Sequence, residues 1–384
     1  MRHKNTVFHD LLNILPWGFF DALVKKHGSD ELVRKFDTRH QFIALLFAQF
    51  SGADSLRAIE TAMASLQARL YHVGGKVPAR STFADANRTR SPLVFSELFQ
   101  HMLGMANRKM RREMCEVVRL IDSTSLHLAG VGCEWARFFA DVCGAKAHVI
   151  FDPDLGRPVY HSVTAANIND ITATKDMPIE TGAIYVFDLG YYDFEWWARL
   201  DKAGCRIVTR FKTNTPLCDA KEQPLTKNAR VLSDRIGFLP KRQAKNRKNP
   251  MQDAVREIVV TTDTGKQLRI LSNDLDAPAD EIADLYKRRW QIELFFRLMK
   301  QTLKIRHFIG RSQNAVRIQV AVALVAYLLL RLLQNITKAK HGFLELTRLV
   351  RANLMHRKNV VDLKAIQRTT PADPGQYELS LCDA

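Results

Sequence analysis

Residues 286–305 read YKRRWQIELFFRLMKQTLKI. Taken as a helix, the segment surrounds Glu293 with cations: Arg289 four residues before it, Arg297 four after and Lys300 seven after. At about 100° per residue, Tyr286, Arg289, Glu293 and Lys300 fall within roughly 60° of one another, with Arg297 and Lys304 beside them. Leu285, Ile292, Phe295, Phe296, Met299 and Leu303 form the adjoining apolar face, so the charged stripe lies on the shoulder between core and solvent. Two readings fit. Glu293 can be the partner of Arg289 and Arg297 in a plain ladder of ion pairs, worth roughly a few tenths of a kcal/mol. Alternatively the stripe is one wall of a site, and only this reading gives Tyr286 and Lys300 a task.

Two aspartates supply the rest of such a site. Asp122 closes the apolar run VVRLI and Asp188 closes IYVF. Both runs read as strands, and sites in open α/β sheets form at strand ends. Each aspartate also has a plain reading. STS follows Asp122, which suits an N-cap or turn, and Leu-Gly follows Asp188, which suits a turn. If the two strands are neighbours and the helix of Glu293 packs across their ends, the three carboxylates converge. Carboxylates that share a small site repel one another unless a cation neutralises them. Hard oxygen ligands suit Mg²⁺ or Mn²⁺. Two such ions roughly 4 Å apart can activate an attacking oxygen and stabilise a leaving one in phosphodiester chemistry.

The elements that must position these residues are legible in outline. Residues 8–110 read as all-helical, with apolar residues at three- and four-residue spacing in FHDLLNILPWGFFDALVKKH, HQFIALLFAQF and SLRAIETAMASLQARLYHV. Ser55 and Ser81 are expected N-caps, and Gly74-Gly75 closes the helix between them. The run from Ser55 to Arg90 allows a helix-turn-helix DNA reader, its second helix rich in arginine. An ordinary helical bundle explains it equally simply and is preferred. After the basic segment NRKMRREM (107–114) the pattern changes. VVRLIDSTSLHL, AKAHVIFD and PVYHSVTA are expected to form a three-stranded meander, followed by a short helix in NINDITATKDM. AIYVFDLG gives a fourth strand, DFEWWARLDKAG a helix and CRIVTRFKT a fifth strand. A stretch without long helices, 213–278, carries three apolar patches and the basic segment KRQAKNRKN (241–249). Long helices are expected over about 280–305 and 313–338, then a helical segment and a loosely ordered tail within 341–384. The element order describes a mixed α/β sheet with helices packed on it, the ribonuclease-H-like arrangement, with a β-rich insertion between the second Asp and the Glu.

Composition bounds the partners. The 384 residues include 57 Lys+Arg against 40 Asp+Glu, a net charge of +17. That excess attracts polyanions, of which nucleic acid is the commonest, although charge can also serve solubility alone. Six scattered cysteines with no C-x-x-C pair argue against a zinc module and a disulfide framework. The first residues lack the apolar core of a signal peptide, and the run VAVALVAYLLL at 320–330 is too short to span a bilayer, so it reads as a buried helix. A cytoplasmic protein with no membrane partner is expected.

The spacing Y-x2-R-x3-E-x6-K, as Tyr286, Arg289, Glu293 and Lys300, resembles the signature of the insertion-sequence 4 family of bacterial DDE transposases. IDSTSL around Asp122 and FDLGYYD around Asp188 are similar to that family's two aspartate motifs, and KAHVIFD agrees in position. The resemblance covers about 115–335 within a catalytic domain of 115–340. The helical part, 1–110, resembles a domain often found ahead of such cores, with a presumed role in binding transposon ends. The resemblance implies catalysis by Asp122, Asp188 and Glu293 holding two Mg²⁺ ions, with Mn²⁺ able to substitute. It further implies cleavage at the element's ends and direct attack of the freed 3′-OH on target DNA. Arg289, Lys300 and Tyr286 would contact the DNA backbone, with Arg297 and Lys304 as further DNA contacts. Double-stranded DNA, as terminal inverted repeats and target, is the implied partner, a homodimer the implied synaptic unit, and the bacterial nucleoid the implied place. Some relatives hold a flipped base on an aromatic residue of the insertion. Here Trp17, Trp135, Trp196, Trp197 and Trp290 all lie outside 213–278, leaving Phe211 and Phe238, for which core packing is the simpler role.

Two alternatives share these residues: a metal-dependent nuclease without strand transfer, and a DNA-binding derivative that has lost catalysis. Ser123, Ser125 and His127 lie near Asp122 without a nucleophile-elbow pattern, which excludes a serine hydrolase. Lys146 and His148 are expected on a sheet face, and Trp196-Trp197 to be core on one side and surface on the other.

Overall fold

The computed structural model describes residues 5–110, 117–139, 142–225, 230–242, 247–262, 264–301, 303, 308–337 and 342–357. The chain opens with seven helices: α1 (Val7–Leu12), α2 (Trp17–Lys26), α3 (Thr38–Ser51), α4 (Leu56–Ser65), α5 (Gln67–Leu70), α6 (Arg80–Thr89) and α7 (Leu93–Met110). Polar side chains start several of them, as expected of N-caps. Thr6, Asp37 and Ser55 each accept a hydrogen bond from the N–H three residues on. Ser81 does not cap. Helix α6 begins one residue earlier, at Arg80, after an uncapped Ala79. Residues 66–79, with α5 and a 3-10 turn, separate α4 from α6, so this pair belongs to a bundle rather than to a two-helix DNA reader.

The sheet carries the ribonuclease-H-like order. Strands β1 (Val118–Leu128), β2 (Arg137–Phe139), β3 (Val142–Asp152) and β4 (Arg157–Ala165) are antiparallel. After the short helix α8 (Asp170–Ala173), β5 (Ile184–Phe187) lies parallel to β1. After α9 (Phe194–Lys202), β6 (Arg206–Arg210) lies parallel to β5. The insertion is not a separate body. Its strands β7 (Cys218–Glu222), β8 (Val231–Phe238), β9 (Val255–Thr261) and β10 (Gln267–Ser272) form a meander, and β10 pairs antiparallel with β6. The result is one ten-stranded sheet ordered β2-β3-β1-β5-β6-β10-β9-β8-β7, with β4 on β3. Polar residues within the insertion's strands are paired inside it. Arg256 donates to both oxygens of Asp234 at 2.8 and 2.6 Å, and the fully buried Glu257 receives Arg235 and Arg269.

The long helix expected over 280–305 is two. Helix α10 (Ala279–Arg288) and α11 (Trp290–Gln301) meet at Arg289, whose N–H turns to the carbonyl of Tyr286. The stripe drawn on an ideal helix is therefore broken at its second member. Helix α12 (Gln313–Thr337) and α13 (Phe343–Asn353) complete the described chain. The sequence QNAVRIQVAVALVAYLLLRLLQNIT is apolar almost all round, which demands burial on every side. Helix α12 packs on α1, α3, α6, α7 and α13, its Tyr327 ring lies 5.1 Å from that of Phe295 in α11, and its Val320 and Leu324 line a small gap shared with Phe296, Leu126 and Val149. It is long and apolar enough to cross a membrane, so the expected shortness fails as an argument; its 83% burial in the protein accounts for its composition.

Other expectations resolve simply. Trp196 and Trp197 are both buried around Phe187 and Tyr191, and neither presents the expected surface, because α9 lies flat on the sheet. Phe211 is core, but Phe238 is 44% exposed on β8 and does not pack inward. His148 is fully buried, its Nε2 2.8 Å from Thr164 Oγ1, and burial pushes its pKa down to about 4. Lys146 pairs with Asp170 at 3.0 Å. Lys304, residues 111–114 and 243–246 of the two basic segments, and the tail beyond Arg357 lie outside the described residues.

Because α12 is core to both the helical bundle and the sheet, the two should unfold together. Leu324→Ala, removing a side chain only 1% exposed, should cost about 2–5 kcal/mol. Urea unfolding followed by far-UV dichroism and by tryptophan fluorescence should give one shared midpoint, shifted equally by the mutation. Separated midpoints would show two independent units.

Candidate active site

The parallel pairing of β1 and β5 ends at Ile121 opposite Phe187. Asp122 and Asp188 are the next residues on adjacent strands, held at one level by the register. Strand β1 continues to Leu128 beside β3 while β5 stops, so Asp122 borders the space that β5 vacates. Asp122 is thus neither an N-cap nor a turn residue. Its Oδ1 accepts the N–H of Ser123 at 2.7 Å from within the strand. Asp188 does cap a turn: its Oδ1 accepts the N–H of Gly190 at 2.8 Å, at the start of a 3-10 turn over 189–191.

Glu293 reaches the same place through Arg289. One guanidinium nitrogen of Arg289 lies 3.5 Å from Asp122 Oδ2, and the other pairs with Glu293 Oε1. The ladder expected from sequence is half present. Arg297 turns outward instead, its guanidinium 5.9 Å from the centre of the Trp290 ring. Lys300 is half-buried and lines a small gap with Thr124, two residues beyond Asp122 on the same strand face. Tyr286 is buried. Its hydroxyl pKa is raised by burial, against the charges of Arg289 and Arg210, and raised again by Asp188. Of the five described residues of the expected set, Tyr286, Arg289 and Glu293 therefore gather beside the two aspartates, Lys300 stands next to Thr124, and Arg297 faces outward.

Charge dominates this corner. Asp122 has its pKa raised to about 7, by burial first and then by the charge of Asp188, while Ser123 and Arg289 pull it down and Glu293 adds to the rise. Two further groups were not visible as site residues in the sequence. Arg210 ends β6, one strand beyond Asp188, where only its place in a strand end could have marked it. Tyr191 lies beneath the aspartates with its hydroxyl pKa far above normal, through burial and the charges of Asp170, Asp122 and Asp188. The sequence offers no signal for it.

The donor set suits a hard divalent cation. Asp122 and Asp188 are like charges held side by side in a partly buried place, an arrangement that a cation relieves. Among the described residues no three ligating side chains already meet at one point, because Arg289 occupies the approach between Asp122 and Glu293.

A mixed sheet of this order, with carboxylates where the parallel pairing of β1 and β5 ends and a charged helix beside them, belongs to the ribonuclease-H-like class of nucleic-acid enzymes. The model of the Transposase DDE domain matches residues 113–329, over half of the chain, and the chain belongs to that family. It is an insertion-sequence transposase, an enzyme of the DDE nuclease and transesterase class, a class generally dependent on divalent metal and acting on DNA. Residues 3–76 match a domain of unknown function, DUF4372. A relative in Sinorhizobium fredii carried under the name transposase y4zB is 38% identical over 302 residues, 77% of this chain and 82% of that one. The transposase for insertion sequence element IS231B of Bacillus thuringiensis is 21% identical over 377 residues, 83% of this chain and 77% of that one. A cryo-EM structure of the piggyBac transposase synaptic complex with hairpin DNA superposes with a TM-score of 0.46 at 10% identity, over 95% of this chain and 81% of that chain. That superposition is too loose to transfer any residue.

The raised Asp122 pKa has a thermodynamic signature. The folded chain binds that proton more tightly than the unfolded chain, so stability falls as pH rises from 3.8 toward about 7. In chelator at about pH 8, Asp122→Asn should therefore melt higher than wild type by roughly a few degrees, and the gain should shrink toward about pH 5. A lower or unchanged Tm at the higher pH would contradict the burial and repulsion assigned to Asp122.

Proposed function

We propose that Asp122, Asp188 and Glu293 are the metal-holding catalytic carboxylates of this transposase, binding two Mg²⁺ ions for which Mn²⁺ can substitute. The observation that carries the proposal is the emergence of Asp122 and Asp188 at one level from adjacent parallel strands, with Glu293 joined to Asp122 through Arg289. When bound, such cations supply positive charge to phosphodiester oxygens and lower the pKa of water. In the first reaction, water breaks one P–O bond at the element's end and leaves a 3′-OH. In the second, that 3′-OH attacks a target phosphodiester and displaces a 3′ oxygen. One phosphodiester is exchanged for another, with no oxidant and no covalent protein intermediate.

The chain's own residues have distinct tasks. Asp122 is fixed by β1 and by the Ser123 N–H, and Asp188 by the turn it caps. Arg289 neutralises Asp122 and Glu293 before DNA arrives, then exchanges them for a phosphate, where its fork of donors is stronger than a lysine. Lys300 and Tyr286 hold the same strand near the cleaved bond, and Arg210 at the end of β6 extends the cationic track. Arg297, on the solvent side by Trp290, serves the outer DNA path. The helical region, 1–110, binds the terminal inverted repeats, two copies of the chain pair the ends, and the work is done on the bacterial nucleoid.

Asp122→Asn, Asp188→Asn and Glu293→Gln should each abolish cleavage of a duplex carrying the element's end, while binding to that duplex survives in a mobility-shift assay. Lys300→Ala should leave partial activity with a shallower dependence on salt. Full cleavage by any of the three carboxylate variants would overturn the assignment, and cleavage without joined product by wild type would leave a nuclease.

A further inference from the structure

Residues 52–55 join α3 to α4 in a four-residue break, across which the chain bends by 94°. Gly52 ends α3 in the left-handed conformation (φ +79°), and Ser55 caps α4 by accepting the N–H of Ala58 at 3.2 Å. Two helices near a right angle, joined by a short turn containing glycine, have helix-turn-helix geometry. The device stands one helix earlier than the α4 and α6 pair suggested by the sequence.

The outward face of α4 fits the second helix of such a motif. Ile59 and Met63 are buried, while Ser55, Arg57, Thr61 and Ala64 are exposed. Arg57, Thr61 and Ala64 share one face at four- and three-residue spacing. Glu60 is half-buried and accepts the N–H of Arg80, so it is drawn toward α6. No exposed residue of this face carries a large apolar side chain, which disfavours a hydrophobic partner and suits a polar, hydrated groove. Helix α6 is the weaker candidate. It lacks a side-chain cap, and Asp85 stands in its exposed face and pairs with Arg88 at 3.1 Å.

A cationic cleft flanks the turn. Arg351 of α13 donates to the carbonyl of Phe50 at 3.2 Å, and its guanidinium lies against Gly52. One turn further along, Arg69 donates to the carbonyl of Met355 at 3.1 Å. Arg69, His356 and Arg357, with Met355, line an open cleft of about 560 Å³. Such a cleft beside a helix-turn-helix is complementary to a phosphate backbone, whose contacts set register while base edges carry sequence.

We propose that α4 is the sequence-reading helix, with Arg57 and Thr61 facing base edges in the major groove of duplex DNA and the Arg69–Arg357 cleft holding the backbone. This rests on the reading that the helical region binds the element's ends. It is tested with the full-length chain and a library of random-sequence duplexes, sequencing the bound fraction and measuring affinity for the enriched motif. Arg57→Ala and Thr61→Ala should relax the motif at neighbouring positions and weaken binding to it about ten-fold, with little change on unrelated duplex. Arg69→Ala should weaken both equally and reduce the salt slope by about one. Far-UV melts establish that these surface variants fold. An unchanged motif and affinity in Arg57→Ala and Thr61→Ala would overturn the proposal, as would the same losses arising instead from Arg80→Ala and Arg88→Ala. If wild type enriches no motif, the end-binding reading of the helical region falls with it. A motif that shifts only with α6 removes α4 alone.

Discussion

Two carboxylates placed side by side where two parallel strands part are the constraint on which the rest of this structure depends. The pairing of β1 with β5 fixes their spacing, so neither can retreat without breaking the register. Burial first, and then repulsion, raise the pKa of Asp122 to about 7. Something positive must answer that charge, and the side chain that does so is Arg289. Its position at the junction of α10 and α11 follows from the same need. Continued as one helix, the backbone would carry Tyr286 and Glu293 along a single straight stripe; the break gives Arg289 a place from which it reaches both Asp122 and Glu293.

The rigidity of that corner comes from elsewhere. The insertion joins the sheet through β10 and β6, so the strands beyond Asp188 are tied to the same hydrogen-bonded framework as the strands before it. On the other side, α12 sits between the sheet with α11 and the N-terminal helices. A shift of α11 would have to displace Phe295 from the ring of Tyr327, at the cost of packing that a close-packed interior does not replace.

Much of this was legible in the sequence, and the failures have physical causes. The five-strand order and the two aspartates were readable because buried strands show apolar runs, and the first polar residue after each run marks where the β1–β5 pairing ends, although β1 itself runs on to Leu128. Helical spacing alone brought Arg289 and Glu293 together, four residues apart, as the structure has them. The break at Arg289 was not, since KRRWQIEL contains neither glycine nor proline and each residue in it tolerates a helix. Strand β7, CDAKE, was missed because it is an exposed edge with no alternation to show. Arg210 gathers at the site through a strand end distant in sequence, and Tyr191 through the turn that Asp188 caps. The helix-turn-helix was sought one helix late, because α3 is buried almost all round and so resembles bundle core rather than half of a surface motif. The extent of α12, expected over 313–338 and found over Gln313–Thr337, was legible; only its apolar length was not, as Arg317 and Gln319 interrupt the apolar run without ending the helix.

The late position of α12 has a consequence for how the chain is made and how it decays. The bundle is built mostly from residues near the N-terminus, yet the helix at its centre begins only at Gln313. During synthesis those early helices must wait, with apolar faces uncovered, until most of the polypeptide has left the ribosome. A shortened copy that stops before α12 lacks the helix against which α1, α3, α6 and α7 all pack.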